Sequence, residues 1–215
     1  KMTGEQEDQA ETSAFLGMAG MLAVGLMFMI LVIQFNSISR PLIILSEILF
    51  SVIGVLIGFS LFKMEISIVM SGVGLMALAG IVVRNGILLV EFTDLLISQG
   101  VELREAIIEA SKTRMTPVLL TAMAATLGLV PLAVGFNIDF VTLFSEFNPH
   151  IYFGGDNAAF WAPLSWTMIF GLIFGTFLTL FLVPVMYLIS ARLKARIVAW
   201  LFGSENKKSE GPVTA

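Results

Sequence analysis

Five long apolar stretches determine the kind of fold that this chain can adopt. About 20 consecutive apolar residues form a helix long enough to cross the roughly 30 Å of hydrocarbon in a bilayer. The stretches cover residues 14–35, 41–62, 66–92, 117–136 and 161–189. With 57% hydrophobic residues, 13% charged residues and a mean hydropathy of +0.94, the chain cannot be a soluble globular domain. We therefore predict an all-α membrane protein, a bundle of five transmembrane helices.

The composition and motifs exclude several classes of function. The chain has no cysteine, so neither a disulfide framework nor a thiolate metal site can form. Its net charge of −4 gives no reason to expect nucleic acid as a partner. The spans contain no phosphate-cradling loop, nucleophile elbow or pair of catalytic carboxylates, and His150 with Asp156 is too small a set for a metal site. We expect neither an enzyme nor a protein with a metal or another cofactor.

Lysine and arginine residues are concentrated on one side of the predicted bundle. Positive residues in short loops are retained on the cytoplasmic side of a membrane. The richer side contains Arg40, Arg104, Lys112, Arg114, Arg192, Lys194, Arg196, Lys207 and Lys208, whereas the other side contains Lys1 and Lys63. We therefore predict that the N-terminus lies outside and the C-terminus in the cytoplasm.

The segments between and beyond the spans have separate predicted roles. Residues 1–13 form an acidic outer segment, unlike a signal peptide, and we expect the chain to begin in mid-protein or after processing. Residues 101–113 resume a helical apolar pattern after Gly100, which predicts an amphipathic helix on the cytoplasmic surface; a purely structural capping role is its alternative. Aromatic residues in the outer loop 137–160 predict an interfacial belt, and residues 197–215 a polar cytoplasmic tail.

Arg84 lies inside the third predicted span and is the strongest functional candidate. A charge in hydrocarbon costs about 2.5–3.5 kcal/mol on insertion scales, so an intramembrane ionisable residue indicates a functional site. The structural alternative is a static ion pair. Ala77, Gly80 and Glu91 share the helical face of Arg84, and Asn85 follows it. We expect this face to point at protein.

A second polar stripe is predicted on the fourth span. Arg114, Thr121 and Gly128 recur every seven residues and therefore remain close to one helical face. Two of them have ordinary explanations: Arg114 as a positive anchor at the cytoplasmic end, and Thr121 as a hydroxyl bonded to its own helix. Glu47 in the second span is a further candidate. It is either protonated or paired with a neighbouring helix, and a proton-carrying role is a further alternative.

Glycine spacing indicates where the helices pack. Gly54 with Gly58, and Gly171 with Gly175, are pairs four residues apart. Small residues at this spacing let membrane helices approach closely. They predict a tight bundle, and Pro184 is expected to kink the last helix.

Several ordered motifs give the chain a resemblance to a known family. The motifs are Gly80-Ile-Val-Val-Arg-Asn-Gly-Ile-Leu-Leu-Val-Glu-Phe92, Glu105-Ala-Ile-Ile-Glu-Ala110, Arg114-Met-Thr-Pro-Val-Leu-Leu-Thr121 and Leu127-Gly-Leu-Val-Pro-Leu132. From Thr12 to Arg196, the chain resembles the C-terminal membrane half of resistance-nodulation-division (RND) efflux transporters, specifically its last five helices.

The resemblance implies a fold and an activity. Members of the family are longer chains with two pseudo-repeated halves, so residues 14–196 would be one part of a larger helix bundle that the remainder of the transporter chain completes. It also implies a proton-driven antiporter in the inner membrane of a Gram-negative cell. Such transporters export amphiphilic compounds as a homotrimer, together with a periplasmic adaptor and an outer-membrane channel.

The resemblance also assigns a role to the two polar stripes. Arg84 occupies the position of the proton-relay cation, which is lysine in many members, and Arg114 and Thr121 match the relay arginine and threonine. Asn85, Glu91 and Glu47 are further candidates, as residues that support the relay. Because a guanidinium does not deprotonate, switching would come from re-pairing of the arginine as carboxylates elsewhere in the transporter become protonated.

A second hypothesis makes this chain an autonomous small membrane protein. It would act as a structural or docking partner of another membrane protein, with solvated termini. The two hypotheses differ in one observable. An autonomous bundle must neutralise Arg84 internally, with Glu91 or Glu47 as its carboxylate, whereas a fragment leaves the cation without its main partner.

Overall fold

A computed structural model describes residues 2–139, 147 and 150–206 of the chain. Its elements, in chain order, are α1 (Met2–Phe35), α2 (Ser39–Phe62), α3 (Ile68–Ser98), α4 (Leu103–Val134), β1 (Phe136–Asp139), β2 (His150–Phe153) and α5 (Asp156–Asn206). Long apolar helices therefore make up most of the described chain. Asparagine and serine at the α1–α2 turn, and glycine at the α3–α4 turn, allow short connections between them.

The predicted bundle of membrane-spanning helices is confirmed. The described chain contains five helices that are long and apolar enough to cross a bilayer. The spanning segments are Glu7–Phe35, Ser39–Phe62, Ile68–Ser98, Leu103–Val134 and Asp156–Lys194. Three of them include a whole predicted stretch, whereas residues 66–67 precede the third segment and residues 135–136 follow the fourth. The agreement is close because a run of apolar side chains is itself the property that stabilises a helix in lipid.

The helices are longer than the apolar stretches predicted. Residues 2–13, predicted as a separate acidic segment, continue α1. The amphipathic helix predicted at residues 101–113 and the span predicted at 117–136 form one helix, α4, with Pro117 in its interior. Proline removes one intrahelical hydrogen bond, but the backbone on either side still pairs within the helix. Likewise α5 continues into the predicted tail as far as Asn206, and residues 207–215 lie outside the described chain.

The loop between α4 and α5 contains a short β-ribbon that the sequence did not predict. β1 pairs with β2 in antiparallel register, with Phe136 opposite Phe153 and Asp139 opposite His150. Gly135 ends α4 in the left-handed conformation, at φ 68°, and its carbonyl accepts a 2.9 Å hydrogen bond from Gly154 N–H. The rings of Phe136 and Phe153 meet edge to face. Of the predicted aromatic belt, Phe140 and Phe144 lie outside the described residues.

The last helix, α5, is the centre of the bundle because it packs against α2, α3 and α4. The predicted glycine pairs are at these contacts. A Cβ atom at Gly54 or Gly58 of α2 would overlap the side chain of Phe174 or Phe170 on α5, and one at Gly171 would overlap Leu78 on α3. The helices are therefore in contact at distances that only glycine permits.

A polar clamp joins three helices near their shared end. Arg40 at the start of α2 forms a 2.8 Å ion pair with Asp94 near the end of α3. The hydroxyl of Tyr187 on α5 donates a hydrogen bond to the same carboxylate. Arg40 also donates to the carbonyl of Phe35 at the end of α1. One carboxylate thus holds α2 and α5 to α3.

We expect Tyr187→Phe to lower the stability of the folded protein by about 1 kcal/mol, because the variant removes one hydrogen bond to a carboxylate but keeps the aromatic ring. Thermal unfolding of the complete protein in detergent measures this loss. Asp94→Asn weakens the same clamp, so the double variant should lose less than the sum of the two single losses. Strictly additive losses would show that the two side chains act independently.

Candidate functional site

The charged face of α3 is uncovered in this chain. Ala77, Gly80, Arg84 and Glu91 are all exposed, and a Cβ atom added at Gly80 would meet nothing within 4 Å. The sequence predicted that this face points at protein. Among the described helices no neighbour covers it.

Arg84 has no carboxylate partner in the part of the chain that the structure describes. The ion pair found there is that of Arg40 with Asp94. Glu91, on the same face as Arg84, is exposed, and Glu47 is buried on another side of α3. Neither of the two predicted internal partners neutralises the guanidinium. This is the outcome expected of a fragment and not of an autonomous bundle.

Arg114 lies where α4 meets α3. Its guanidinium carbon is 4.6 Å from the centre of the Phe92 ring, and its Nε is buried without a hydrogen-bond partner among the described residues. A cation above an aromatic face gains electrostatic attraction from the ring. Phe92 directly follows Glu91, so Arg114 touches the end of the motif that contains Arg84.

The hydroxyl group of Thr121 bonds to its own helix, as the ordinary explanation of this residue predicted. Its hydroxyl donates a 2.9 Å hydrogen bond to the carbonyl of Val118 in the same helix. The side chain is exposed, as is Gly128 further along the stripe, where an added Cβ would meet nothing. Among the described residues no hydrogen bond or ion pair joins Thr121 to Arg84 or Arg114. The structure therefore brings the three relay candidates onto two adjacent helices without direct contact between them.

Glu47 lies on the opposite side of α3 from Arg84. Its side chain is 2% exposed, and Thr179 of α5 donates a 2.6 Å hydrogen bond to its Oε2. Asn85, also buried, and Gly86 form the side of α3 that faces inward. The sequence indicated Glu47, as an acid in an apolar run, but not its partner Thr179. A threonine in a membrane helix is too common to be a signal by itself.

The residues described do not form a metal site. No group of three or more histidine, cysteine, aspartate or glutamate side chains lies close enough to hold a metal ion within residues 2–139 and 150–206. The candidate site therefore consists of cationic side chains, a hydroxyl group and one buried carboxyl group.

Comparison with known proteins identifies the family. The sequence profile of the AcrB/AcrD/AcrF family matches residues 1–191, which is most of the chain. The chain belongs to this family of RND transporters. The resemblance carried by the motifs around Arg84 and Arg114 is thereby confirmed.

Individual relatives agree with the RND assignment. The swarming motility protein SwrC of Bacillus subtilis (strain 168) is 34% identical over 193 residues, 90% of this chain and 17% of that protein. The multidrug resistance protein MdtC of Erwinia tasmaniensis is 33% identical over 175 residues, 81% of this chain and 15% of that protein. The chain therefore spans about a sixth of the length of these relatives.

A solved structure agrees with the RND fold. The crystal structure of a heavy metal efflux pump superposes with a TM-score of 0.64 at 30% identity, covering 88% of this chain and 16% of that one. The helix bundle described above therefore corresponds to one part of an RND membrane domain.

Proposed function

We propose that this chain supplies five helices of a proton-driven RND transporter that exports amphiphilic compounds across the inner membrane of a Gram-negative cell. The observation that carries the proposal is the uncovered face of α3, where Arg84 has no carboxylate partner among the described residues. An unpaired cation inside a span is costly. In the proposal, acidic residues in the remainder of the transporter pair with Arg84 and neutralise its charge.

Arg84 acts in this proposal as a fixed cation. A guanidinium keeps its charge in proteins, so the proton must be carried by the acids that pair with it. Protonation of such an acid breaks its ion pair and changes the local charge by one unit. That change favours one of two packings of α3 against its neighbours, which couples proton entry to the transport cycle.

Arg114 and Thr121 extend the proposed relay from α3 onto α4. Arg114 keeps a second positive charge against the Phe92 ring of α3, and Thr121 offers a hydroxyl on an open face. In the complete transporter, these two side chains of α4 would contact the acidic residues of the remaining helices. Asn85 and Glu91, which lie in the same motif as Arg84, are supporting residues in this proposal.

The names of the relatives support one substrate class over another. The MdtC relatives are named multidrug resistance proteins, which supports amphiphilic drugs as substrates. The solved structure is that of a heavy metal efflux pump, so metal ions are the competing substrate class. A homotrimer with a periplasmic adaptor and an outer-membrane channel is the proposed assembly.

The proposal is tested with the complete protein that contains this chain, expressed in Gram-negative cells that lack their own efflux pumps. We expect lower accumulation of a fluorescent amphiphilic dye, and a protonophore should restore it, because export depends on the proton gradient. Resistance to divalent metal ions without any effect on the dye would contradict the proposed substrate class. Dye export that persists with the protonophore would contradict proton coupling.

The native protein in its own membranes tests whether the chain acts alone. An antibody against residues 204–215 should detect a species several-fold heavier than the 23.4 kDa of this chain. A species of 23.4 kDa would favour the docking hypothesis over export.

A further inference from the structure

A buried carboxyl group lies where three helices meet. Glu47 of α2 is 2% exposed, and its Oε2 accepts a 2.6 Å hydrogen bond from Thr179 of α5. Gly86 of α3 forms the third side, because a Cβ atom at this position would overlap the Glu47 carboxyl group. All three helices therefore contact this one carboxyl group.

Two buried oxygen atoms at this position have no hydrogen-bond partner among the described residues. They are Oε1 of Glu47 and Oγ of Ser51. Residues four apart in a helix lie on the same face, with their Cβ atoms about 5–6 Å apart. Ser51 is therefore the next polar group along α2, and Gly175 of α5 packs directly against it. Thr179 therefore contacts the carboxyl group directly, and Ser51 lies one turn further along the same face of α2.

No cation of the described chain lies within ion-pair distance of Glu47. The helices packed against α2 are α1, α3 and α5. The charged or titratable residues of α2, α3 and the spanning part of α5 are Arg40, Glu47, Arg84, Glu91, Asp94, Asp156, Tyr187, Arg192 and Lys194, and those of α1 precede Thr12. Arg40, Asp94 and Tyr187 pair with one another, whereas Arg84 and Glu91 are exposed.

We propose that Glu47 is a proton-binding site that takes up and releases a proton during the transport cycle. The carboxyl group has one hydrogen-bond partner, Thr179, and a second hydroxyl group, that of Ser51, one helical turn away. The carboxylate accepts from Thr179 and can accept from Ser51, whereas the acid accepts from Thr179 and can donate its proton to Ser51 Oγ. A buried acid that can be satisfied in either form is suited to exchange a proton inside a protein.

The position of the site links it to Arg84. Gly86 follows Arg84 by two residues, which places the two about 200° apart around α3. The helix therefore has the Arg84 cation on one side and the Glu47 carboxyl group on the other. A change in charge at Glu47 acts on the backbone of the helix that carries Arg84. This inference rests on the proposed function, because a proton bound here has a use only in a proton-coupled cycle.

The test is infrared difference spectroscopy of the complete protein, recorded between high and low pH. We expect a carbonyl band of a protonated carboxyl group that grows as the pH falls and is missing in Glu47→Gln. The matched control is Glu109→Gln, an exposed glutamate on α4. That control should remove only the signal of a carboxyl group in water.

Two outcomes would overturn the inference. One is a pH-difference spectrum of Glu47→Gln that equals that of the unaltered protein. The other is a Glu47 band that is present but does not change with pH, which would make Glu47 a permanently neutral side chain. If Glu47→Gln does not fold, Thr179→Val provides the test, since loss of the hydrogen bond to Oε2 should shift the frequency of the same band. An unshifted band in Thr179→Val would count against the site.

Export assays separate this inference from the proposed function. If the Glu47 band responds to pH but the complete protein exports no dye, the proton site stands and the proposed function fails. If dye export is normal in Glu47→Gln, and the pH-difference spectrum of this variant equals that of the unaltered protein, the proposed function stands and the inference fails.

Discussion

Arg84→Ala should abolish proton-driven export by the complete transporter while the amount of folded protein in the membrane stays the same. The variant removes the cation that is exposed on the uncovered face of α3 and has no partner in the described chain. Acids that pair with it in the complete bundle would lose their counter-charge. Protonation of these acids would then break no ion pair, so it could not shift the balance between the two packings of α3.

Dye efflux from energised cells measures this effect, with immunodetection of the protein as the reference for its amount. Arg84→Lys is the conservative variant, because it keeps a cation of similar reach, and we expect it to retain export. Arg104→Ala is the matched control, since Arg104 is an exposed arginine near the start of α4, outside the candidate site. Normal export by Arg84→Ala would remove Arg84 from the mechanism.

Gly171→Val should destabilise the bundle more than any other change considered above. A Cβ atom at Gly171 of α5 would overlap the side chain of Leu78 on α3. Leu78 is 1% exposed, so its side chain can move only by displacing its other neighbours. Overpacking of this kind costs about 1–3 kcal/mol and sometimes more, and here it separates the helix that packs against three others from one of its neighbours.

We expect a lower thermal unfolding midpoint for Gly171→Val in detergent and less folded protein in the membrane. Gly25→Val is its control, because Gly25 lies on α1, where an added Cβ would meet nothing within 4 Å. Both variants place the same β-branched side chain in a membrane helix. Equal losses in the two variants would attribute the effect to helix propensity and not to the contact with Leu78.

The sequence predicted the spans correctly but not where the helices end. Insertion into lipid depends on the local run of apolar residues, and each run is visible in the sequence. Whether a helix continues beyond the hydrocarbon depends on backbone hydrogen bonds that hydropathy does not report. For this reason residues 2–13 and 101–113 were predicted as separate segments, although they belong to α1 and α4. The pairing of β1 with β2 was missed because it depends on contacts across a loop.

The candidate site was only partly readable in the sequence. Arg84 and Glu47 were indicated because a charged or acidic residue in an apolar run is rare and costly. The sequence did not indicate Thr179 as the partner of Glu47. Thr179 is distant in sequence and reaches the carboxyl group only through the packing of α5 against α2. The uncovered state of the Arg84 face is likewise a property of the assembled helices, since only the structure shows which faces the neighbours leave open.

The position of α5 has a consequence for the biosynthesis of this part of the transporter. α2, α3 and α4 each pack against α5, yet α5 follows them in the chain and leaves the ribosome after them. The earlier helices therefore enter the membrane before α5 has been synthesised. Until then the α2 surface at Gly54 and Gly58 lacks its contacts with Phe174 and Phe170. Assembly of the bundle is therefore a late event, and a nascent chain that stops before Asp156 leaves inserted helices without their common partner, exposed to the quality control of the membrane.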